Sequence, residues 1–155
     1  MLTLKSAYFS QSLSSQQTEL QLTVRGASEW LIKDLRKASV SEINKNDPSS
    51  TYLKFNLGNW DEDNGCWNIG SAYIEYSYDS DAKKLTRIYS PDGVNTVTLD
   101  FDNISEDPFD TSLLISNKKI MVDLEAGKSV KGQYISYGLV SYVKIRNDYE
   151  GYECE

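Results

Sequence analysis

Apolar and polar residues alternate one by one along six segments after residue 50, which is the pattern of half-buried β-strands. The connections between them are short and rich in turn-forming residues. Connections this short join antiparallel neighbours, because a parallel crossover needs about a dozen residues or more. The predicted strands centre on residues 53–57, 72–78, 85–89, 97–101, 120–124 and 133–145. The predicted turns lie at residues 58–59, 79–81, 90–93, 116–117 and 126–127.

The first forty residues carry a different pattern. Leu20, Leu22 and Val24 alternate with polar residues and predict a strand, and the Ser/Gln-rich residues 10–17 predict a loop before it. The spacing of apolar residues then changes from two to between three and four, which predicts a helix over residues 28–38 with Ser28 as its N-cap. Its apolar side contains Leu31, Leu35 and Ala38, and its polar side contains Lys33, Asp34, Arg36 and Lys37.

These elements together predict the fold class. Residues 1–147 are expected to form one mainly β (α+β) domain, a curved antiparallel meander sheet with the early helix packed on it. A closed barrel or a two-sheet sandwich fits the periodicity equally well. Residues 39–42 fit either another helical turn or a short strand, residues 46–48 form a turn signal, and residues 148–155 form an acidic C-terminal tail.

Composition excludes several kinds of chemistry. The 155 residues include no histidine, which removes the usual general base, the base of a catalytic triad and the commonest metal ligand. Neither an enzyme, a cofactor nor a metal site is therefore expected. Two cysteines are too few for a disulfide framework, and no run of about 18 apolar residues or secretory signal is visible. We expect a cytoplasmic protein with reduced thiols that does not enter a membrane.

The net charge of −7 is unevenly distributed along the chain. Residues 61–110 contain twelve acidic and three basic residues, a net charge of −9, whereas the rest of the chain carries +2. A concentration of negative charge favours a basic protein partner or a cation over nucleic acid. The alternative is that acidic turns keep a tyrosine-rich sheet soluble.

The densest feature lies between two tryptophans, where three carboxylates follow one another. Exposed aromatic residues beside fixed charge are typical of binding hot spots, whereas a plain hairpin loop with its tryptophans packed on the core is the structural alternative. We predict a partner-binding surface that combines this loop with the tyrosines and acids of the next strand. Its residues are Trp60, Asp61, Glu62, Asp63, Trp67, Tyr76, Tyr78, Asp79 and Asp81.

Three other hypotheses compete for the same region. Asp61, Asp63 and Asn64 resemble calcium ligands, but Ala72 stands where an EF-hand needs its last glutamate. Tyr73, Tyr76 and Tyr78 on one strand suggest a platform for stacking sugars. Glu75 suggests a carboxylate glycosidase, although a solvent-facing residue paired with a cross-strand lysine or arginine explains it more simply.

The interpretation that uses most of these features is a non-catalytic, acidic binding protein. Its partner is expected to be a basic protein, for example a nuclease toxin that this chain neutralises as an immunity protein. A nuclease must bind phosphates, so its active site is positive and complementary to an acidic surface. A carbohydrate-binding or Ca-dependent β-domain is the alternative, followed by a small carboxylate-based glycoside hydrolase.

Overall fold

One long helix and seven strands form the described part of the chain. The computed structural model describes residues 2–38, 43, 52–110 and 118–145, with backbone alone for residues 2–9, 59 and 60. In chain order the elements are α1 (Leu2–Leu35), β1 (Tyr52–Asp61), β2 (Cys66–Asp79), β3 (Lys84–Ser90), β4 (Val97–Asp102), β5 (Phe109–Asp110), β6 (Lys119–Val130) and β7 (Gln133–Lys144). The predicted helix is therefore real, but it begins much earlier than residue 28.

The predicted strand at residues 19–25 and the loop before it are wrong, because both belong to α1. Leu20 and Val24 are four residues apart, a spacing that suits a strand and a helix alike. Leu22 decides between the two, since it is 67% exposed on the far side of the helix from the buried Leu20 and Val24. Ser28 is a buried residue within α1 instead of its N-cap. Neither proline nor glycine interrupts residues 2–25, so the helix continues through the Ser/Gln-rich segment.

The first sheet is a four-stranded antiparallel meander in the order β1-β2-β3-β4. Its inward rows consist of large side chains, such as Phe55 beside Ile74 and Leu85 beside Phe101. β2 is twice as long as β3, which ends opposite Tyr73. The first half of β2 therefore pairs, among described strands, with β1 alone, and the two form a hairpin that extends beyond β3 and β4.

The second sheet has the order β5-β6-β7, and α1 packs against β6 and β7. A short segment after β4 joins the two sheets. Asn103 has a positive φ of 64°, a conformation that asparagine tolerates, and it turns the chain out of β4. The Ile104 N–H then donates to the Lys83 carbonyl, while Ile104 pairs with Ala126 of β6. Buried apolar side chains of α1 and of both sheets form one continuous core.

The fold class is confirmed: the protein is mainly β, with a helix packed on antiparallel sheets. All six predicted strands are present, but two predicted turns are wrong. Gly58 lies inside β1 at an irregularity in its pairing with β2, and Ala126 and Gly127 lie inside β6. The last hairpin instead turns at Lys131 and Gly132, both with positive φ. The segments at residues 39–42, 46–48, 116–117 and 148–155 lie outside the described residues.

Although α1 is 34 residues long, its sequence is too polar for a bilayer-crossing helix, and none of the described helical residues forms such a span.

Candidate functional site

The residues predicted to bind a partner are not brought together by the fold. Asp61, Glu62 and Asp63 lie at the tip of the β1–β2 hairpin, whereas Asp79 and Asp81 lie at the opposite end of β2. The thirteen residue steps of β2 from Cys66 to Asp79 correspond to about 40 Å at the usual rise of a strand. A typical interface patch is smaller than this, so the sequence had merged two separate acidic surfaces into one.

We call residues 61–66 the hairpin tip. Its backbone is held by Asp61, whose Oδ1 accepts hydrogen bonds from the backbone N–H groups of Asp63 (3.0 Å) and Asn64 (3.1 Å). The Asn64 side chain donates to the other carboxylate oxygen at 2.8 Å. These bonds from Asn64 and Asp63 lower the pKa of Asp61 below its usual value, so it stays ionised. The Asp61 oxygens in the proposed calcium site therefore already have acceptor roles in the turn.

Of the two tryptophans of the hairpin, Trp67 has a described side chain and Trp60 has a described backbone only. The strand register places Trp60 directly opposite Trp67. Trp67 is half-buried and interacts with other parts of the chain. The side chain of Trp60 lies outside the described residues, so its proposed role stays a prediction.

Tyr76 and Tyr78 are core residues and not surface residues. Tyr76 is fully buried and Tyr78 is 8% exposed, because both stand on the inward face of β2. The Tyr73 side chain lies on the opposite face of the strand. The Lys54 ammonium nitrogen lies 4.2 Å from the centre of its ring. The three tyrosines therefore do not form the continuous platform that stacking on a sugar requires.

Glu75 has the simpler of its two proposed roles. Its Oε2 lies 3.4 Å from Nζ of Lys54, which is its direct cross-strand neighbour on β1. Both side chains are partly exposed on the outer face of the sheet. The prediction of a solvent-facing residue paired with a cross-strand cation is confirmed.

Five acidic residues lie at the other end of the first sheet, and we call them the sheet-end cluster. Asp79, Lys84 and Asp102 stand in one cross-strand row, and Asp81 lies in the adjoining turn. The segment after β4 returns to this turn through the bond from Ile104 to Lys83 and adds two more acids. The cluster is Asp79, Asp81, Asp102, Glu106 and Asp107.

Three acids of the sheet-end cluster act on the neighbouring Tyr78. Burial raises the pKa of Tyr78, and the negative charges of Asp107, Glu106 and Asp79 raise it further. The Tyr78 hydroxyl donates to the Ile104 carbonyl at 3.3 Å, which holds the segment carrying Glu106 against β2. Sequence reasoning missed Asp102, Glu106 and Asp107, because only the return of the chain after β4 places them beside Asp79.

A recurrent aspartate explains part of the acidic excess structurally. Each hairpin turn of the first sheet contains an aspartate whose Oδ1 accepts two backbone N–H groups two and three residues later. This is the local hydrogen bonding for which aspartate is favoured in turns. The three residues are Asp61, Asp79 and Asp92. These three side chains therefore have a structural role in their turns, which was not predicted from the sequence.

A buried charged network connects α1 to the first sheet. Asp34, predicted on the polar side of the helix, is fully buried, and its Oδ2 accepts bonds from Arg87 Nε (2.6 Å) and the Tyr76 hydroxyl (2.7 Å). Burial and the Asp34 charge raise the pKa of Tyr76 well above its usual range. Burial alone would lower the pKa of Arg87, but Asp34 outweighs it and the net shift is upward. The other oxygen of Asp34 is buried without a partner in the described structure.

Trp30 covers the outer side of this network. The guanidinium carbon of Arg87 lies 4.5 Å from the centre of the Trp30 ring, and Lys33 Nζ lies 4.7 Å from it. Contacts of this kind stabilise a cation and shield it from water. The network therefore has the features of a structural anchor between α1 and β3.

Cys66 does not have the free thiol that was expected. It is disulfide-bonded, and the chain has one other cysteine, Cys154, outside the described residues. The expectation of reduced thiols is therefore wrong. Across residues 2–38, 43, 52–110 and 118–145, no three acidic or cysteine side chains are close enough together to hold a metal ion.

No protein-family model, curated protein or solved structure matches the chain.

Proposed function

We propose that the protein works by binding a basic protein partner at its sheet-end cluster, without catalysis. The observation that supports this is the placement of five acidic residues from three separate segments at one end of the first sheet. Lys83 and Lys84 belong to the same end, and Lys84 stands between Asp79 and Asp102 with its Nζ 3.3 Å from Asp100, so the acidic residues at this end still outnumber the basic ones. A surface with this excess of negative charge attracts a basic partner and speeds its encounter.

The sheet-end cluster suits this role better than the hairpin tip does. Its acids stand on strand ends and on a segment held by the Tyr78 hydroxyl, so their positions are set before a partner arrives. Preorganised charges lose less conformational entropy on binding. The tip acids Glu62 and Asp63 belong to one exposed turn.

Neutralisation of a nuclease toxin is the more specific form of the proposal. A nuclease presents a positive site for phosphate groups, which a preorganised acidic cluster can cover. The carbohydrate-binding alternative needs a surface platform of tyrosines, but Tyr76 and Tyr78 are buried. The glycosidase alternative needs a catalytic Glu75, but Glu75 is paired with Lys54.

The cellular compartment also belongs to the proposal. The cytoplasmic location expected from the cysteine count conflicts with the disulfide at Cys66, because cytoplasmic thiols are kept reduced. We therefore propose an oxidising compartment. Blocking free thiols during lysis of the native host, followed by mass analysis of the protein, tests this: a free Cys66 thiol in the cell would restore the cytoplasmic location.

Two matched variants test the binding proposal. Asp102→Asn with Glu106→Gln removes two charges from the sheet-end cluster, and Asp63→Asn with Glu62→Gln removes the same two charge types from the hairpin tip. None of these four side chains caps a turn as Asp61 and Asp79 do. Tagged wild-type protein would first capture a partner from host extract at low salt, and that partner would then be purified for kinetics.

We expect a basic partner whose association rate falls about three- to tenfold with the sheet-end variant at low ionic strength and far less with the tip variant. The difference should shrink as salt rises, since charges are screened within about 10 Å at 0.1 M. An acidic or neutral partner, or an equal loss with the tip variant, would refute the assignment to the sheet-end cluster.

A further inference from the structure

The exposed side of the second sheet differs from the acidic first sheet in charge and in shape. Among the described strands, β7 pairs with β6 alone, so its other side is a sheet edge of twelve residues. An edge of this length is a template for another strand, and proteins usually shorten, twist or cover such edges. This edge is the strongest unassigned feature of the described structure.

The register shows which backbone groups point outward from the edge. β6 and β7 are joined by the two-residue turn Lys131–Gly132, so Val130 and Gln133 form the first hydrogen-bonded pair. The odd-numbered residues of β7 therefore bond to β6, and the Ile145 N–H continues this series by donating to the Lys118 carbonyl. The even-numbered residues from 134 to 144 direct their N–H and C=O groups to the free edge.

The side chains along this edge are unusually apolar for an exposed strand. Tyr134, Val140 and Tyr142 are 54%, 53% and 62% exposed and stand on the outer face. On the inner side, where the end of β7 meets α1, lies a cavity of about 350 Å³. It is lined by Ile32, Arg36, Ser141, Tyr142, Val143 and Lys144.

The charges at the end of this edge indicate the partner's chemistry. Lys119 and Lys144 are directly opposite each other on β6 and β7, and like charges at such a position repel. Both side chains are exposed on the outer face, and Lys118 precedes them. An acidic side chain placed beside Lys144 would offset this repulsion by attraction.

We propose that the free edge of β7 binds an extended acidic peptide, which adds to the second sheet as an antiparallel strand. Directly opposite residues of antiparallel strands point to the same face. An acidic residue on the outer face of the peptide then lies beside Lys144, with Lys119 one strand further away, and the apolar residues of the peptide point to the inner side, beside the cavity near Ile32. This surface is separate from the sheet-end cluster and does not depend on the function proposed for it.

The proposed pairing determines which N–H groups of the peptide bond to β7. Even-numbered residues of β7 exchange hydrogen bonds with the outward-facing peptide residues, which are the acidic ones. In a capped, fluorescein-labelled peptide of four Glu-Val repeats, the glutamate N–H groups therefore bond to β7 and the valine N–H groups face solvent. N-methylation at the glutamates should weaken binding at least tenfold, whereas N-methylation at the valines should change it less than about twofold.

Fluorescence anisotropy with the full chain measures these affinities. Lys119→Gln with Lys144→Gln should weaken binding about fivefold at low salt, while the matched control Lys83→Gln with Lys84→Gln in the first sheet should not. Val140→Pro removes one edge N–H at a position where an edge strand tolerates proline, and binding should fall at least tenfold. If Val140→Pro prevents folding, the two methylated peptides still provide the test.

Several results would overturn the proposal. Equal binding of both methylated peptides would show nonspecific charge attraction, and equal binding of a Lys-Val peptide would refute the charge preference. No binding at 1 mM peptide, a concentration that detects interactions of about 4 kcal/mol, would also refute it. A concentration-dependent dimer whose formation Val140→Pro abolishes would show that the edge serves a second copy of the chain instead.

Discussion

The two sheets share one core but meet the helix by different means. β6 and β7 pack directly on α1 through apolar side chains such as Leu124 and Val143. The first sheet also contributes apolar side chains to this core, and it is joined to α1 in addition by the buried network in which Asp34 binds Arg87 and Tyr76. Apolar packing tolerates small shifts, whereas a buried ion pair is stable in one geometry only. The difference suggests that the second sheet supplies stability and that the network sets the position of the first.

The two sheets also differ in their balance of acidic and basic residues. Residues 52–110 contain twelve acidic and four basic residues, and residues 118–145 contain two acidic and five basic ones. The charges are compatible with one core because most of them stand in turns and on outer faces. On the outer face of the second sheet, Lys119 and Lys144 lie at one end and Asp123 and Glu125 lie nearer the middle of β6. The binding proposals for the two sheets concern separate surfaces and are independent of each other.

The largest expected effect comes from breaking the network. Asp34→Ala or Arg87→Met leaves the other charge buried without its partner, and each should lower the free energy of unfolding by about 3–5 kcal/mol. The double change Asp34→Leu with Arg87→Met should lower the free energy of unfolding by much less than the sum of the two single changes. Denaturant unfolding of all three variants measures this.

A matched exposed pair serves as the control for the network. Removal of the Lys54–Glu75 ion pair on the outer face should change stability by about 1 kcal/mol or less. If the single changes at Asp34 and Arg87 were as mild as that, the network would not be the anchor of the first sheet.

The disulfide at Cys66 gives the next largest effect. Cys66 lies at the hairpin tip of the first sheet, and the described part of the second sheet has no cysteine. Reduction, or Cys66→Ser, should lower the free energy of unfolding by about 2–4 kcal/mol, a typical value for a native disulfide. Thermal melts with and without reductant test this, and unchanged melting would mean that the bond adds nothing to the fold.

Gly93 in the first sheet and Gly132 in the second lie in turns that differ in how tightly they are packed. Gly93 and Gly132 have similar φ angles of 80° and 82°, so alanine is strained by about 1–2 kcal/mol at both. A Cβ at Gly93 would lie 2.9 Å from Cβ of Ser71, whereas one at Gly132 would meet nothing within 4 Å. Gly93→Ala should therefore destabilise the protein by roughly 1 kcal/mol more than Gly132→Ala in denaturant melts. Equal losses would show that Ser71 moves aside.

The last expected effect appears only at alkaline pH. Tyr76 and Tyr78 have raised pKa values in the folded protein, whereas an unfolded tyrosine titrates near pH 10. Their contribution to the free energy of unfolding is therefore complete below about pH 10. It is lost as pH rises above that value, at up to about 1.4 kcal/mol per pH unit for each group. Tyr76→Phe should flatten the decline in stability between pH 10 and 11. An unchanged slope would show that Tyr76 does not ionise on unfolding in this range.

Local patterns were sufficient for most of the strands and several turns. A strand with one buried face shows its alternation directly, as in Leu85, Arg87 and Tyr89, and aspartate makes its turn bonds to residues two and three positions away. The start of α1 was not predictable in this way, because Leu20 and Val24 satisfy both periods. The charge of the candidate site was visible in the sequence, but its division between the hairpin tip and the sheet-end cluster was not.

By itself, then, the sequence determined the mainly β class, the alternation of each strand and the acidic character of the first sheet, since these depend on residues within a few positions of one another. Tertiary structure alone decided that Asp34 is buried against Arg87, that Asp79 is joined by Glu106 and Asp107, and that β7 lies at an edge. The first two depend on residues 27 to 53 positions apart, whose approach is set by packing of the whole core and leaves no local pattern. The third depends on which strands lie beside β7, which its own alternation does not show.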